Sequence, residues 1–269
     1  MSLPPTKNKQ FKVVPGNSVK RGQKILIYGE SGIGKSSLAK LAPKCVFLGP
    51  DDGSQQLINP PPFIHETDTF NNIRRANQQL GLFDGYDSLV YDNITEIERI
   101  ALPYVFLKVS LPKSPVGPSG KGSDFKTIED YGYHKGYRYW YDIMRLFLQD
   151  CDQLVQQGKN VILIAQNKNI KEPNPAGEEF LKAGPSLLHE KDISTLNMYI
   201  EWCDHVFRIG YSNVIVEKSK IAGDTQRAVF THPEPYFYAK SRTIPVEHSV
   251  VPFENPDDDS IWRLLFNAK

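Results

Sequence analysis

One stretch constrains this chain more than any other. Lys24-Ile-Leu-Ile-Tyr28 runs directly into Gly29-Glu-Ser-Gly-Ile-Gly34-Lys35-Ser36-Ser37. A short run that is apolar throughout, with no polar alternation, reads as a strand buried on both faces, the habit of a parallel sheet. The residues after it fit G-x-x-x-x-G-K-[ST] at every fixed position. Each fixed position has a physical reason. Gly29, Gly32 and Gly34 leave room for the backbone to wrap a phosphate closely, with N–H groups turned inward and the positive end of the next helix behind them. Lys35 neutralises outer phosphates, and the Ser36 hydroxyl suits Mg²⁺. The expected nucleotide-binding residues are therefore Gly29, Glu30, Ser31, Gly32, Ile33, Gly34, Lys35, Ser36 and Ser37, and the expected cofactors are ATP and Mg²⁺. A chance glycine-rich turn is the bland alternative, but it would not need a strand before it and a helix after it.

Other short apolar runs occur at Cys45–Leu48, Ser88–Tyr91 and Val161–Ala165. Between them lie helical patterns. Asp68 is a plausible N-cap for a helix with Phe70, Ile73, Ala76 and Leu80 on one face, stopped by Gly81. From Trp140 the apolar positions 143, 144, 147, 148, 151, 154 and 155 make a 3.6-residue stripe that Gly158 ends. A helix is expected over 191–203, and strands near Val206–Ile209, Val214–Val216 and Tyr236–Ala239. Residues 109–125 read as a mobile loop, and 168–190 as another long polar segment. Buried strands alternating with helices imply an α/β fold whose mainly parallel central sheet is flanked by helices on both faces. The expected organisation is a polar arm over 1–20, a core over 21–250, and a tail with a short helix over 251–269.

Several strand ends carry candidate chemistry. Asp92 closes the run from Ser88, where a second Mg²⁺-organising carboxylate belongs, so Ser36 and Asp92 are the expected metal pair. Asn93 follows it, so a water-activating carboxylate must come from another strand end. Asp51 and Asp52 are the candidates, against the plainer reading of Gly49–Gly53 as a turn. Gln166 follows Val161–Ala165 and is placed to contact a γ-phosphate, or else simply satisfies backbone groups. Asn167-Lys-Asn-Ile170 lacks the carboxylate of N-K-x-D, which argues against guanine. His65-Glu66 and His189-Glu190 lack the second histidine of H-E-x-x-H, so no zinc hydrolase is implied.

Composition sets limits on partners. The 269 residues are 40% hydrophobic and 23% charged, with a formal net charge of +1. That excludes a wholly disordered chain and a protein that coats polyanions over its whole surface. Cys45, Cys151 and Cys203 are widely spaced and odd in number, which fits free thiols in a reducing compartment. The opening Met1-Ser-Leu-Pro-Pro-Thr-Lys lacks the apolar core of a secretory leader, and no apolar run approaches a membrane span. A soluble, cytoplasmic protein is expected, with no membrane partner.

With these residues in order, the chain resembles the RecA-like branch of P-loop ATPases, and most of all the phage-encoded AAA-family nucleotide-binding proteins, some of which are single-strand annealing recombinases. The resemblance spans roughly 22–247 and rests on Lys24–Ser37, Cys45–Gly53, Leu89–Thr95, Val161–Gln166 and Tyr238-Ala-Lys240-Ser-Arg242-Thr-Ile-Pro245. It implies a RecA-like P-loop NTPase fold, ATPase activity and the cytoplasm of a bacterial host. It implies that Lys35, Asp51 or Asp52, and Gln166 act in catalysis, although the family usually has Glu where Asp51 stands. It also implies that Lys240 and Arg242 reach the nucleotide of an adjacent subunit, which requires a ring or filament; Lys218 and Lys220 share the spacing. The family's DNA loops correspond to 104–138 and 168–190. The first carries six basic residues against three acidic ones, interleaved with aromatics. That mixture suits single-stranded DNA, because cations track phosphates and rings stack on bases. Lys121, Lys126, His134, Lys135, Tyr137 and Arg138 are its candidate contacts, and packed tyrosines above a solvated loop are the alternative. A single-strand-binding protein or another recombination partner is implied with it. Two other functions compete. One is an ATP-gated assembly module with little hydrolysis, docking partners through Asp257–Phe266. The other is a small-molecule kinase, disfavoured because 109–125 contains no arginine.

Overall fold

The computed structural model describes residue 13 and residues 21–108, 127–131, 135–173, 177–190, 192–212, 215–217, 220–222 and 226–267. In chain order the elements are β1 (Lys24–Gly29), α1 (Lys35–Ala39), β2 (Cys45–Leu48), β3 (Phe63–Ile64), α2 (Phe70–Gln78), β4 (Ser88–Tyr91), α3 (Ile94–Lys108), α4 (Lys135–Gln156), β5 (Asn160–Glu172), β6 (Phe180–Pro185), β7 (His189–Glu190) and β8 (Ile193–Ser194). They continue with α5 (Thr195–Trp202), β9 (His205–Tyr211), β10 (Ile215–Glu217), β11 (Lys220–Ala222), β12 (Arg227–Phe230), β13 (Lys240–Ser241), β14 (Val250–Pro252) and α6 (Ser260–Asn267).

Among the described residues the main sheet takes the order β14-β12-β9-β1-β5-β4-β2-β3, with β13 also on β9 and β6 also on β5. From β9 to β3 every neighbour is parallel. The additions β12, β13, β14 and β6 are antiparallel. β5 thus lies between β1, which feeds the glycine loop, and β4, which runs into Asp92. The registers Gly29↔Gln166 and Tyr91↔Leu163 bring those strand ends together at one edge of the sheet.

Alternate side chains of a strand go to opposite faces, and here both faces are covered. Leu26, Tyr28, Leu89, Tyr91 and Leu163 face α2, α3, α4 and α5. Ile25, Ile27, Val90, Ile162 and Ile164 face Leu38 and Ala39 of α1 and Ile261 and Trp262 of α6. The apolar runs that pointed to a parallel sheet are therefore buried twice over. The α4 stripe is buried as expected, at Ile143, Met144, Phe147, Leu148, Cys151, Leu154 and Val155. Cys45, Cys151 and Cys203 are buried free thiols. No helix among the described residues is long and apolar enough to cross a membrane.

Several local expectations need correction. Thr69, not Asp68, caps α2, its side chain accepting from the Asn72 N–H at 3.2 Å. α2 ends at Gln78, so Leu80 lies beyond it and is 94% exposed. α4 starts at Lys135, a turn and more before Trp140. Much of the polar segment 168–190 is strand. β5 continues to Glu172 and pairs with β6 over Asn167↔Pro185 to Glu172↔Phe180, and β7 pairs with β8. The signal was there as alternation: Ile170 is buried while Asn169 and Lys171 are exposed. A polar strand with one apolar residue on its covered face is easily taken for loop. Helix α5 is shorter than 191–203 because β8 occupies its front. Near 236–239 only Phe237 forms bridges, to Ala183 and Glu234, and the strand proper is β13. The loop 109–125 lies outside the described residues.

Candidate nucleotide-binding site

The glycine loop forms because β1 ends at the sheet edge and α1 must start immediately. Gly32 and Gly34 take φ of +74° and +109°, left-handed values that suit residues without a Cβ. Lys35 is only 7% exposed. Its Nζ donates to the carbonyls of Gly29 at 3.0 Å and Glu30 at 2.8 Å, and reaches Gln166 Oε1 at 3.4 Å. Burial lowers its pKa, and the carboxylates Asp92, Glu30 and Asp51 oppose that shift. Ser36 Oγ donates to Asp92 Oδ2 at 2.7 Å, so the two expected metal ligands meet across 56 residues of sequence. Asp92 is 4% exposed. Burial pushes its pKa up to about 6, against the pull of the Ser36 hydrogen bond. Ser31, Gly32, Gly34, Lys35, Ser36 and Ser37 line a cavity of about 400 Å³ together with Asp51, Asp92 and Gln166.

Asp51 and Asp52 part company. The Asp51 N–H donates to the Asp92 carbonyl at 3.1 Å, which brings its side chain to the cavity. Asp51 Oδ2 accepts from Asn93 Nδ2 at 3.2 Å and Oδ1 from the Gly53 N–H at 3.0 Å. Asp52 is exposed and starts the 3-10 turn Gly53–Gln56. A second cavity of about 480 Å³ shares Asp51 and Gln166 with the first and adds Asp52, Asn93, Thr95, Glu96 and Arg99. Gln166 is anchored by its N–H donating to Thr95 Oγ1 at 3.0 Å. Its neighbour Asn167 donates through Nδ2 to Glu30 Oε1 at 2.5 Å. Thr95, and Asn93 as a partner of Asp51, are site residues that sequence reasoning missed. Their only signal was their place just after a strand-end carboxylate.

Lys240 and Arg242 sit elsewhere. β13 pairs Lys240 with Val206 and Ser241 with His205, and His205 lies level with Ile25. That is toward the opposite end of β1 from Gly29, roughly 13 Å along the strand from Ile25 at ~3.3 Å per residue. Lys240 Nζ donates to the carbonyls of Ile200 (3.0 Å), Glu201 (3.3 Å) and Cys203 (2.6 Å), which end α5. Arg242 pairs with Asp204 at 3.3 Å. The structure therefore gives Lys240 a helix-capping role inside its own chain.

Of the expected DNA contacts, Lys121, Lys126 and His134 lie outside the described residues. Lys135 and Arg138 are exposed on the first turns of α4, and Tyr137 is half-buried. The neighbouring aromatics pack inward. Tyr131 is buried and meets Tyr139 edge-on at 5.5 Å, and Trp140 Nε1 donates to the Glu98 carbonyl at 2.8 Å. α4 joins β5 through Gln157–Lys159, so it runs antiparallel to β5. Its first turns therefore point toward the glycine-loop edge of the sheet.

A glycine loop between a buried strand and a helix, a buried lysine, and a Ser–Asp pair at the neighbouring strand end are the features of a P-loop NTPase fold with RecA-like architecture. The residues fit these ligands: Lys35 and a glycine loop lining the cavity suit phosphate, and a hydroxyl beside a carboxylate suits Mg²⁺, which takes few protein oxygens and keeps water. A family model described as an AAA domain, AAA_24, matches residues 21–243, and the chain belongs to that family. No curated protein matches the sequence. Among solved structures, a KaiC-like protein from Pyrococcus horikoshii OT3 is similar at 12% identity, covering 89% of this chain and 96% of its own, with a TM-score of 0.42. The RadB recombinase is similar at 13% identity, covering 90% and 91%, with a TM-score of 0.43. The flagellar accessory protein FlaH of Methanocaldococcus jannaschii is similar at 10% identity, covering 80% of each chain, with a TM-score of 0.37.

Proposed function

We propose that this protein is an Mg²⁺-dependent ATPase that acts on single-stranded DNA in recombination, annealing or repair of the phage type. The observation that carries the reading is the convergence of Lys35, Ser36, Asp92, Asp51 and Gln166 on one cavity. Bound ATP with Mg²⁺ supplies the phosphoryl group and most of the charge to be managed. Lys35 lends a partly desolvated cation to that charge, where electrostatic stabilisation is strongest. Ser36 and Asp92 hold the metal. Asp51, fixed by Asn93 and Gly53, orients the attacking water, and Gln166 senses the outer phosphate. Lys135 and Arg138 support the DNA reading, because they are exposed cations toward the same edge.

The test is steady-state ATP hydrolysis with and without single-stranded DNA over a range of protein concentration, with Lys35→Ala as control. Turnover that rises with DNA supports the reading, and a rise steeper than linear in protein supports self-association. Binding of ATP with no DNA response overturns the DNA part. A second reading, an ATP-gated assembly module with little hydrolysis, is favoured by one feature: both Asp51 oxygens already hold hydrogen bonds. Turnover unchanged in Asp51→Asn and Asp52→Asn would decide for it.

A further inference from the structure

Arg227 belongs to no motif and stands 194 residues from the glycine loop, yet it touches it. Arg227 Nη1 donates to the Ile33 carbonyl at 3.0 Å, and Nη2 donates to the Glu254 carbonyl at 3.3 Å. The flat guanidinium lies over the Phe253 ring, 4.9 Å from its centroid, and Phe253 is buried. Backbone pairing fixes the base of the side chain, since the Phe253 N–H donates to the Arg227 carbonyl at 2.9 Å. Nothing intervenes between this platform and the loop. A Cβ on Gly34 would come within 2.9 Å of both Arg227 Nη1 and the Phe253 ring.

The consequence follows from the peptide that joins Ile33 to Gly34. It is trans. In a trans peptide the C=O and the following N–H point in opposite directions across one rigid plane. Gly34 lines the phosphate cavity and Ile33 does not. The Gly34 carbonyl is used within α1, accepting from the Leu38 N–H at 2.9 Å. A donor that holds the Ile33 carbonyl on the outside therefore sets the direction of the Gly34 N–H on the inside.

We infer that Arg227 is a positioning residue for nucleotide: by gripping the Ile33 carbonyl from outside the loop, it aims the Gly34 N–H into the phosphate cavity. The inference rests on the nucleotide reading above and deepens it. Arginine is needed because two carbonyls and one ring are engaged at once. A lysine supplies charge without the fork or the flat face. The guanidinium also adds a fixed positive charge beside the loop.

The experiment titrates Mg-ADP and inorganic pyrophosphate into the wild-type protein, Arg227→Ala, Arg227→Lys and Gln226→Ala, and records thermal unfolding of each without ligand. Gln226, the residue just before β12, is the control, since its Nε2 donates to Glu254 Oε1 at 2.5 Å without touching the loop. Both Arg227 variants should bind each ligand at least ~10-fold more weakly, the loss of one well-aimed charged hydrogen bond. Gln226→Ala should stay within about twofold, the usual scale of a surface substitution, because the lost side chain reaches Glu254 Oε1 and no atom of the loop. Arg227→Lys decides the matter if Arg227→Ala unfolds, because it keeps the charge on the strand. A folded Arg227→Lys with wild-type affinity for both ligands overturns the inference. A wild-type protein that binds neither ligand overturns the nucleotide reading beneath it, a different and distinguishable result.

Discussion

Lys240 shows how the groups around a residue decide what it does. Three carbonyls at the end of α5 surround its ammonium, and a cation there offsets the negative end of the helix. Lys240→Ala should lower stability by ~1–2 kcal/mol, the range for a charged hydrogen-bonding cap. Denaturant unfolding measures that loss, and ATP turnover per folded molecule should not change. A loss of turnover at unchanged stability would instead support the expected role at a neighbouring subunit's nucleotide. Glu98 is a second case. It is 5% exposed on α3. It accepts from the Thr195 hydroxyl and from the Leu188 N–H, the latter at 2.8 Å. Burial raises its pKa to about 7, with Lys168 and the two hydrogen bonds pulling the other way. The folded state therefore holds the Glu98 proton more tightly than the unfolded chain does. The stability this contributes is complete below the unfolded value of 4.5 and is lost as pH rises through about 7. Glu98→Gln should flatten the fall in melting temperature between pH 5 and pH 8, removing a pH-dependent contribution of ~1–3 kcal/mol. Asp92, raised to about 6, follows the same rule for stability. Its charge is what Mg²⁺ needs, so metal-dependent ADP affinity should fall as pH drops below about 6, and Asp92→Asn should abolish that dependence.

At the level of elements, the parts readable in the sequence were those written in consecutive residues. Strand β1, its loop and the α4 stripe each announce themselves within a dozen positions, because burial on both faces or on one helical stripe leaves a local pattern. Ser36 and Asp92 could be paired in advance because a motif and a strand end each carried a signal. Arg227 and Phe253 could not, since only the antiparallel additions β12 and β14 bring them under the loop. The β5–β6 hairpin was missed for another reason. Its strands are mostly polar, and their pairing partners, not their composition, make them strands. The expected docking segment at the C-terminus is in part core: Ile261 and Trp262 are buried, and Trp262 Nε1 donates to the Leu38 carbonyl at 2.8 Å. Trp262→Ala should cost ~3–5 kcal/mol, as other buried tryptophan truncations do, and calorimetry checks it. On α4, changing Lys135 and Arg138 together to alanine should remove DNA stimulation while leaving DNA-free turnover intact. Unchanged stimulation would return these residues to ordinary solvated surface.

For the whole molecule, the parallel sheet separates two kinds of work. Its Gly29 edge gathers the glycine loop, Asp51, Asp92 and Gln166. Its Lys24 edge gathers Arg21, Lys240 and Arg242 around the buried carboxylate of Asp204 and the end of α5. Chemistry and structural anchoring thus occupy opposite ends of the same strands, and a substitution at one end should leave the other intact. The seating of α6 against α1 bears on how the protein is made. Every loop residue has been synthesised before residue 40, but the tryptophan that packs beneath their helix is residue 262. A growing chain that has not yet reached residue 262 holds the complete motif without the support behind it. A truncation before that residue should therefore bind nucleotide more weakly although every recognisable signature is present, and ADP titration of the truncated protein checks it.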